Sequence, residues 1–234
     1  MNIFEKYANC SVEDKLNNFE KYIKRQAMSR FMARYELFKL QMHIKGCIIE
    51  AGVHHGGGLL SWAKLSSALE PYALDRRIFG FDTFSGFPSI NEKDIDEESK
   101  GNSSLREKGF DTGYDTYEEL QELVAEYDNN RFLNQFQKIF LVKGDATLTI
   151  PEFVEKNPYL LISLLFIDFD LYEPTKIALK YFLPRMPKGS ILAFDEVNNP
   201  WWPGETLALL EELNINKLEI NRFSFDPNIA YIIL

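Results

Sequence analysis

The run Phe166-Ile167-Asp168-Phe169-Asp170-Leu171-Tyr172, taken with Ala193-Phe194-Asp195-Glu196, sets the architecture. Each segment is apolar and ends abruptly in acids. Such runs read as buried parallel strands, and an open α/β sheet binds its ligands at the carboxyl ends of its strands. If the two strands are neighbours, Asp168, Asp195 and Glu196 converge on one point. Converging carboxylates repel unless a divalent cation joins them or one keeps its proton. Oxygen-only ligands suit Mg²⁺, Mn²⁺ or Ca²⁺ rather than zinc, and the chain has neither an H-E-x-x-H motif nor a Cys/His cluster. Asp170 lies two residues past Asp168 and can serve as general base toward a hydroxyl within hydrogen-bond reach. The bland use of all these acids is as helix caps and turn residues.

Upstream of these strands, residues 12–42 read as helix, broken once, with Leu16, Phe19, Ile23, Ala27 and Phe31 at helical spacing and Ser11 with Asp14 as the starting cap. Gly46 ends this region. Cys47-Ile48-Ile49-Glu50 is a first buried strand, and a glycine-rich turn leads from it into a helix over Leu59–Leu69. Ile78–Asp82 is a second strand and Ile139–Asp145 a third. Between them, Thr116 with Glu119 forms a capping box for a helix through Leu120, Leu123, Val124 and Tyr127. Pro151 opens a short helix, Leu164–Asp168 is the fourth strand, and Pro174 opens the helix that Pro184 closes. Ser190–Phe194 is the fifth strand and Glu205–Leu213 a helix, followed by strands at Leu218–Ile220 and Ala230–Leu234. Strand and helix alternate five times before a hairpin closes the sheet. The fold class is therefore α/β, a doubly wound, mostly parallel, Rossmann-like sheet whose terminal hairpin makes the last strand antiparallel. An N-terminal helical region over 1–45 precedes the sheet domain over 46–234. Residues 86–114 interrupt the alternation with a polar, acidic stretch, either a lid or a disordered insertion.

The 234 residues suffice for one domain with a substantial core, and the formal charge of -9 argues against a duplex-DNA partner. Cys10 and Cys47 are the only cysteines and have no CxxC spacing, which fits a reducing compartment. No signal pattern opens the chain and no apolar run approaches the ~20 residues of a membrane span, so a cytoplasmic location is expected.

The first turn, Glu50-Ala51-Gly52-Val53-His54-His55-Gly56-Gly57, lets backbone approach a ligand, and the helix after it offers its positive end. Its spacing departs from G-x-G-x-x-G, which counts against a dinucleotide pyrophosphate, and Glu50 suits a ligand with a cationic or amino-acid portion. Asp82 can take both hydroxyls of a ribose, and the Gly144-Asp145-Ala146 end can accept from an adenine amino group. His54 and His55 are candidates for proton transfer, set against a reading as polar surface. Trp201 and Trp202 offer a stacking wall for a sugar or aromatic ring, or else pack their own loop.

The series Ile49-Glu50-Ala51-Gly52-Val53-x-x-Gly56-Gly57, Asp82-Thr83-Phe84-Ser85-Gly86-Phe87-Pro88, Lys143-Gly144, Asp168-Phe169-Asp170-Leu171-Tyr172-Glu173-Pro174-Thr175 and Pro187-Lys188-Gly189-Ser190 resembles the macrocin O-methyltransferase (TylF-like) family. These are class I S-adenosylmethionine enzymes that methylate sugar hydroxyls on macrolides and related natural products. The resemblance covers about residues 45–212 and implies a seven-stranded sheet. It implies Mg²⁺ on Asp168, Asp195 and Glu196, with Asp170 as base. It places S-adenosylmethionine along Glu50, Ala51, Gly52, Val53, His54, Gly56 and Gly57, its ribose on Asp82 beside Thr83, its adenine near Asp145 and Ala146, and Asp168 within its reach. His55, Tyr172, Trp201 and Trp202 are candidates for contact with a sugar or glycoside acceptor. Two positions depart from the family: Phe169 stands where glycine is usual, and Asp195-Glu196 where two aspartates are usual. The reading is a metal-dependent sugar O-methyltransferase, without nucleic-acid or membrane partners, with the leading helix available as a homo-oligomer interface. The alternatives are a nucleotide-sugar glycosyltransferase using Asp168-Phe169-Asp170 as a D-x-D motif, and a non-catalytic cofactor-binding protein.

Overall fold

The apolar runs become the strands of one seven-stranded sheet with order β3-β2-β1-β4-β5-β7-β6. In this computed structural model residues 10–234 are described, so the first nine residues of the expected helical region lie outside the described residues. The strands are β1 (Cys47–Ala51), β2 (Ile78–Asp82), β3 (Ile139–Lys143), β4 (Ile162–Ile167), β5 (Ile191–Phe194), β6 (Asn221–Arg222) and β7 (Ala230–Ile233). The first five pair in parallel, while β7 lies antiparallel between β5 and β6. Every residue of β1, β4 and β5 is buried, as expected for strands covered on both faces.

Seven helices accompany the described strands: α1 (Val12–Asn17), α2 (Arg25–Gln41), α3 (Gly57–Leu69), α4 (Thr116–Asn129), α5 (Ala146–Lys156), α6 (Tyr172–Phe182) and α7 (Pro203–Glu212). Side chains alternate along each strand, so neighbours in sequence enter opposite layers. Ile48, Leu164 and Phe166 pack with Leu37, Phe38, Leu59, Trp62 and Leu120 of α2, α3 and α4. Ile49, Leu165 and Ile167 pack with Ile150, Leu179, Phe182 and Leu209 of α5, α6 and α7. The sheet is thus doubly wound, and the order of strands reverses between β1 and β4.

Several boundaries differ from the sequence expectation. The leading helix is broken as expected: a single 3₁₀ turn (Phe19–Lys21) separates α1 from α2, and Ser11 accepts from Asp14 N at 3.0 Å. The cap of α4 is Asp115, which accepts from Glu118 N, whereas Thr116 is buried and shares a hydroxyl contact with Thr112. An acid one residue upstream outcompetes the threonine because its carboxylate is the stronger acceptor for the orphan N–H groups. Pro151 does not open α5 but lies inside it, since Asp145 caps the helix earlier through Thr147 N at 2.9 Å. The expected strand at Leu218–Ile220 forms three residues later as β6, after a 3₁₀ turn at Ile215–Lys217. Residues 86–114 hold two 3₁₀ turns, Glu92–Asp94 and Ser99–Gly101, with Asp94 and Ser99 buried.

Level strand ends place the site. Ala51 is in register with Phe81 and Ile167, and Ile167 with Phe194. The pairing runs one step further, with Gly52 N on Phe81 O (2.9 Å), Asp168 N on Ala51 O (2.7 Å) and Asp195 N on Ile167 O (3.0 Å). The residues after these strands therefore share one rim. Gly52 (φ +102) is required there, because a Cβ would stand 1.9 Å from the Asp168 carbonyl oxygen.

Candidate active site

A cavity of about 470 Å³ opens on this rim, with Gly52, Asp82, Asp145, Asp168, Asp170 and Asp195 among its walls. It lies at the carboxyl ends of the strands, beside the reversal in strand order, where open α/β sheets bind ligands.

On one side, the β1 turn and the end of β2 are locked together. Asp82 Oδ2 accepts from Val53 N and His54 N, both at 2.8 Å, and Oδ1 accepts from Phe84 N at 2.7 Å. A carboxylate has about four acceptor sites, so Asp82 keeps capacity toward the cavity it lines. Thr83, His54, Asp145 and Ala146 line the same cavity. Burial and the neighbouring His55 lower the His54 pKa, opposed by Asp82. Ala51, Val53, Gly56 and Gly57 belong to the same strand end and turn but do not line the cavity.

Glu50 also stands behind the wall. Alternation along β1 turns it into the α2–α3 layer, where Arg34 Nη2 lies 3.7 Å from Oε1 and Oε2 has no partner. Burial pushes its carboxyl up to about 7, with Arg34 opposing. The approach of α3 depends on Gly58, whose Cβ would stand 1.9 Å from Glu50 Oε1.

The other side is a concentration of acids. Asp168, Asp170, Asp195 and Glu196 all line the cavity. Burial, then the charges of Asp195 and Asp170, hold the Asp168 carboxyl well above the usual range. Burial, then Glu196 and Asp195, do the same to Asp170. Glu196 is pushed up to about 7 by burial, against the hydrogen bond from Asn199. Asp195 pairs with Arg30 of α2 through Oδ2, and its Oδ1 is buried without a partner. The donors are all hard oxygens and one is orphaned, which fits a divalent cation. Among the described residues, no three acidic, His or Cys side chains already converge as a metal cluster. Glu196 is turned to Asn199, and Arg30 supplies the local cation.

Of the remaining sequence candidates, Trp202 lines the cavity and forms an aromatic band with Phe87 and Phe110, at centroid distances of 6.0 and 5.5 Å. Trp201 is 53% exposed and outside the lining. His55 meets the Tyr114 hydroxyl at 2.9 Å, away from the lining. Tyr172 directs its hydroxyl to Glu211 at 2.6 Å, with Lys93 and Lys176 each at 2.9 Å, and does not reach the cavity.

Sequence reasoning missed Arg30, Arg34, Asp94 and Glu205. The two arginines are one helical turn apart, a spacing that marks a shared face. Charges on a helix usually face solvent, so nothing local marked this face as inward. Asp94 accepts from Tyr172 N (2.6 Å) and ties the 86–114 segment to the loop after β4.

The macrocin-O-methyltransferase family model matches residues 20–204. No curated protein matches the chain. Among solved structures, the calicheamicin methyltransferase CalS11 is 32% identical with a TM-score of 0.92, over 98% of this chain and 88% of that one. The apo form of CalS11, a TDP-rhamnose 3'-O-methyltransferase, is 31% identical with a TM-score of 0.82, over 98% and 89%. The O-methyltransferase NovP shares the fold, at 20% identity and a TM-score of 0.63 over 88% of this chain and 79% of that one. These matches set aside the glycosyltransferase and non-catalytic alternatives. With the glycine turn and the acid cluster on one rim, and a family match over most of its length, the chain belongs to the macrocin-O-methyltransferase (TylF) family and is an S-adenosylmethionine-dependent O-methyltransferase.

Proposed function

We propose that the chain methylates a hydroxyl of a sugar, carried on a nucleotide or a glycoside, with a divalent cation held at Asp168, Asp195 and Glu196. The observation that carries the reading is one cavity with opposed walls. The Gly52 turn and Asp82 stand on one side, and Asp168, Asp170 and Asp195 on the other. The likeness to CalS11 supports a sugar acceptor.

S-adenosylmethionine would supply an electrophilic methyl group; its methionine end is assigned to Gly52 with Glu50 behind, its ribose to Asp82 and Thr83, and its adenine to Asp145 and Ala146. A hard cation such as Mg²⁺ would fix neighbouring acceptor hydroxyls and increase the acidity of one. Asp170 would take the proton from that hydroxyl as the hydroxyl oxygen bonds to the methyl carbon and the sulfonium–methyl bond breaks, its electron pair leaving with the sulfur of S-adenosylhomocysteine. A carboxyl with a raised pKa is the better base, and this is the direction in which its surroundings push Asp170. Arg30 leaves Asp195 when the cation enters and remains at the cavity wall as a cationic contact for the acceptor. Trp202 and Phe110 offer the sugar an apolar face, and residues 86–114 act as the lid that excludes water. Rate comes chiefly from holding donor and acceptor in line; effective molarities of about 10⁵ M or more are known for well-oriented pairs.

No helix among the described residues is long and apolar enough to cross a membrane, and a cytoplasmic location with an interface on α2 completes the proposal. The test is methyl transfer from S-adenosylmethionine to a panel of deoxythymidine-diphosphate sugars and glycosides, with Mg²⁺ or with chelator. Metal-dependent transfer to a sugar supports the reading. Equal transfer with chelator would remove the cation from it, and transfer only to non-sugar hydroxyls would remove the sugar.

A further inference from the structure

Glu205 is 0% exposed and stands in the first turn of α7. Its Oε1 accepts from the backbone N–H of Phe169 and of Asp170, at 3.1 Å each. Its Oε2 accepts from Glu196 N at 3.1 Å. One side chain therefore joins the loop after β4, which carries the base, to the loop after β5, which carries an assigned cation ligand. Burial, then Asp170 and Asp195, push the Glu205 carboxyl up, and the N–H donors that occupy both oxygens oppose this.

The first loop needs such support. Asp170 has φ +62, a left-handed conformation that is strained for a residue with a side chain and persists only when its surroundings over-determine it. Asp94 holds the same loop from its other flank through Tyr172 N. Gly204 lets α7 come this close, since a Cβ would lie 2.4 Å from Tyr172 N and 2.3 Å from Asp94 Oδ1. We infer that Glu205 is a positioning residue that sets Asp170 and Glu196 relative to one another for methyl transfer, an inference that rests on the proposed function. Glutamine is a poor substitute although it is isosteric. Its single oxygen serves Phe169 and Asp170, and its amide N–H₂ then faces the Glu196 N–H donor.

The experiment compares wild type, Glu205→Gln and Glu205→Asp by S-adenosylhomocysteine calorimetry, Mn²⁺ titration and steady-state transfer. Glu205→Gln is expected to bind S-adenosylhomocysteine within about twofold of wild type, while Mn²⁺ affinity and kcat each fall by about 10- to 100-fold, a typical loss for a supporting hydrogen bond. The KM for S-adenosylmethionine stays unchanged, which a general loss of structure would not allow. Glu205→Asp keeps both oxygens one methylene shorter and recovers part of kcat. It also carries the test if Glu205→Gln fails to fold, in which case wild-type kcat and Mn²⁺ affinity in Glu205→Asp overturn the inference. Wild-type kcat and Mn²⁺ affinity in a folded Glu205→Gln overturn it too. If wild type binds S-adenosylhomocysteine but no Mn²⁺, the cation part of the proposed function fails separately. Glu205 is then judged on amide hydrogen exchange at Phe169, Asp170 and Glu196, where faster exchange in Glu205→Gln supports it and unchanged exchange overturns it.

Discussion

The two walls of the cavity solve opposite electrostatic problems. Asp82, on the β1–β2 side, is met by three backbone N–H groups and holds the glycine turn in place. On the β4–β5 side Asp168, Asp170 and Glu196 crowd one another, and Asp195 has one oxygen on Arg30 and one on nothing. The first wall is satisfied by the chain itself. The second crowds Asp168, Asp170, Asp195 and Glu196 around Arg30, which is why we propose that it takes a cation from outside. Under the proposed function, the cofactor wall is set before anything binds, while the acceptor wall is completed by what binds.

The sharpest way to separate the walls is to remove the proposed base. Asp170→Asn should lower kcat by about 10²- to 10⁴-fold and leave S-adenosylhomocysteine affinity within about twofold; a matching loss of affinity would merge the two walls into one. Asp82→Ala attacks the other side and leaves its N–H partners without an acceptor. It should destabilise the protein by about 2 kcal/mol and weaken S-adenosylhomocysteine at least about tenfold, read by chemical denaturation and calorimetry.

Acidity gives a milder test. Glu50 and Glu196 move from an ordinary 4.5 up to about 7, so the folded chain holds more protons than the unfolded one between these values. Their contribution is full below about 4.5 and is lost as pH rises through about 7. Metal-free protein should therefore melt progressively lower from pH 5 to pH 7.5, and Mg²⁺ should raise the melting temperature more at pH 7.5 than at pH 5. A Mg²⁺ effect equal at both values would contradict the charge imbalance. The smallest effect is expected at Tyr172. Its hydroxyl belongs to the Glu211 cluster outside the cavity, so Tyr172→Phe should change kcat/KM by less than about twofold, whereas Trp202→Ala should raise the acceptor KM by about tenfold.

The strand ends were legible because a buried parallel strand must be apolar and can turn polar only where it emerges. That rule places Asp82, Asp168 and Asp195 on one rim from the sequence alone. Helix starts were less legible: at α4 two capping residues adjoin, and at α5 the cap lies six residues before the proline that seemed to mark the start. Long-range partners were not legible at all. Arg30 meets Asp195 across 165 positions and Glu205 meets Asp170 across 35, and neither side chain differs locally from a solvent-facing helix charge. Glu50 was legible as an acid at a strand end. Alternation along β1 already turns it away from the cavity, but its partner Arg34 depended on the packing of α2, which a strand pattern does not carry.

In the proposed mechanism the β1–β2 wall binds its ligand unaided while the β4–β5 wall awaits a cation. Calorimetric titration of S-adenosylhomocysteine into metal-free protein, repeated with saturating Mg²⁺, tests it most directly. Binding is expected in both conditions, with affinities within about threefold because Asp82 and the Gly52 turn are already set. Binding that appears only with Mg²⁺, or in neither condition, would contradict it.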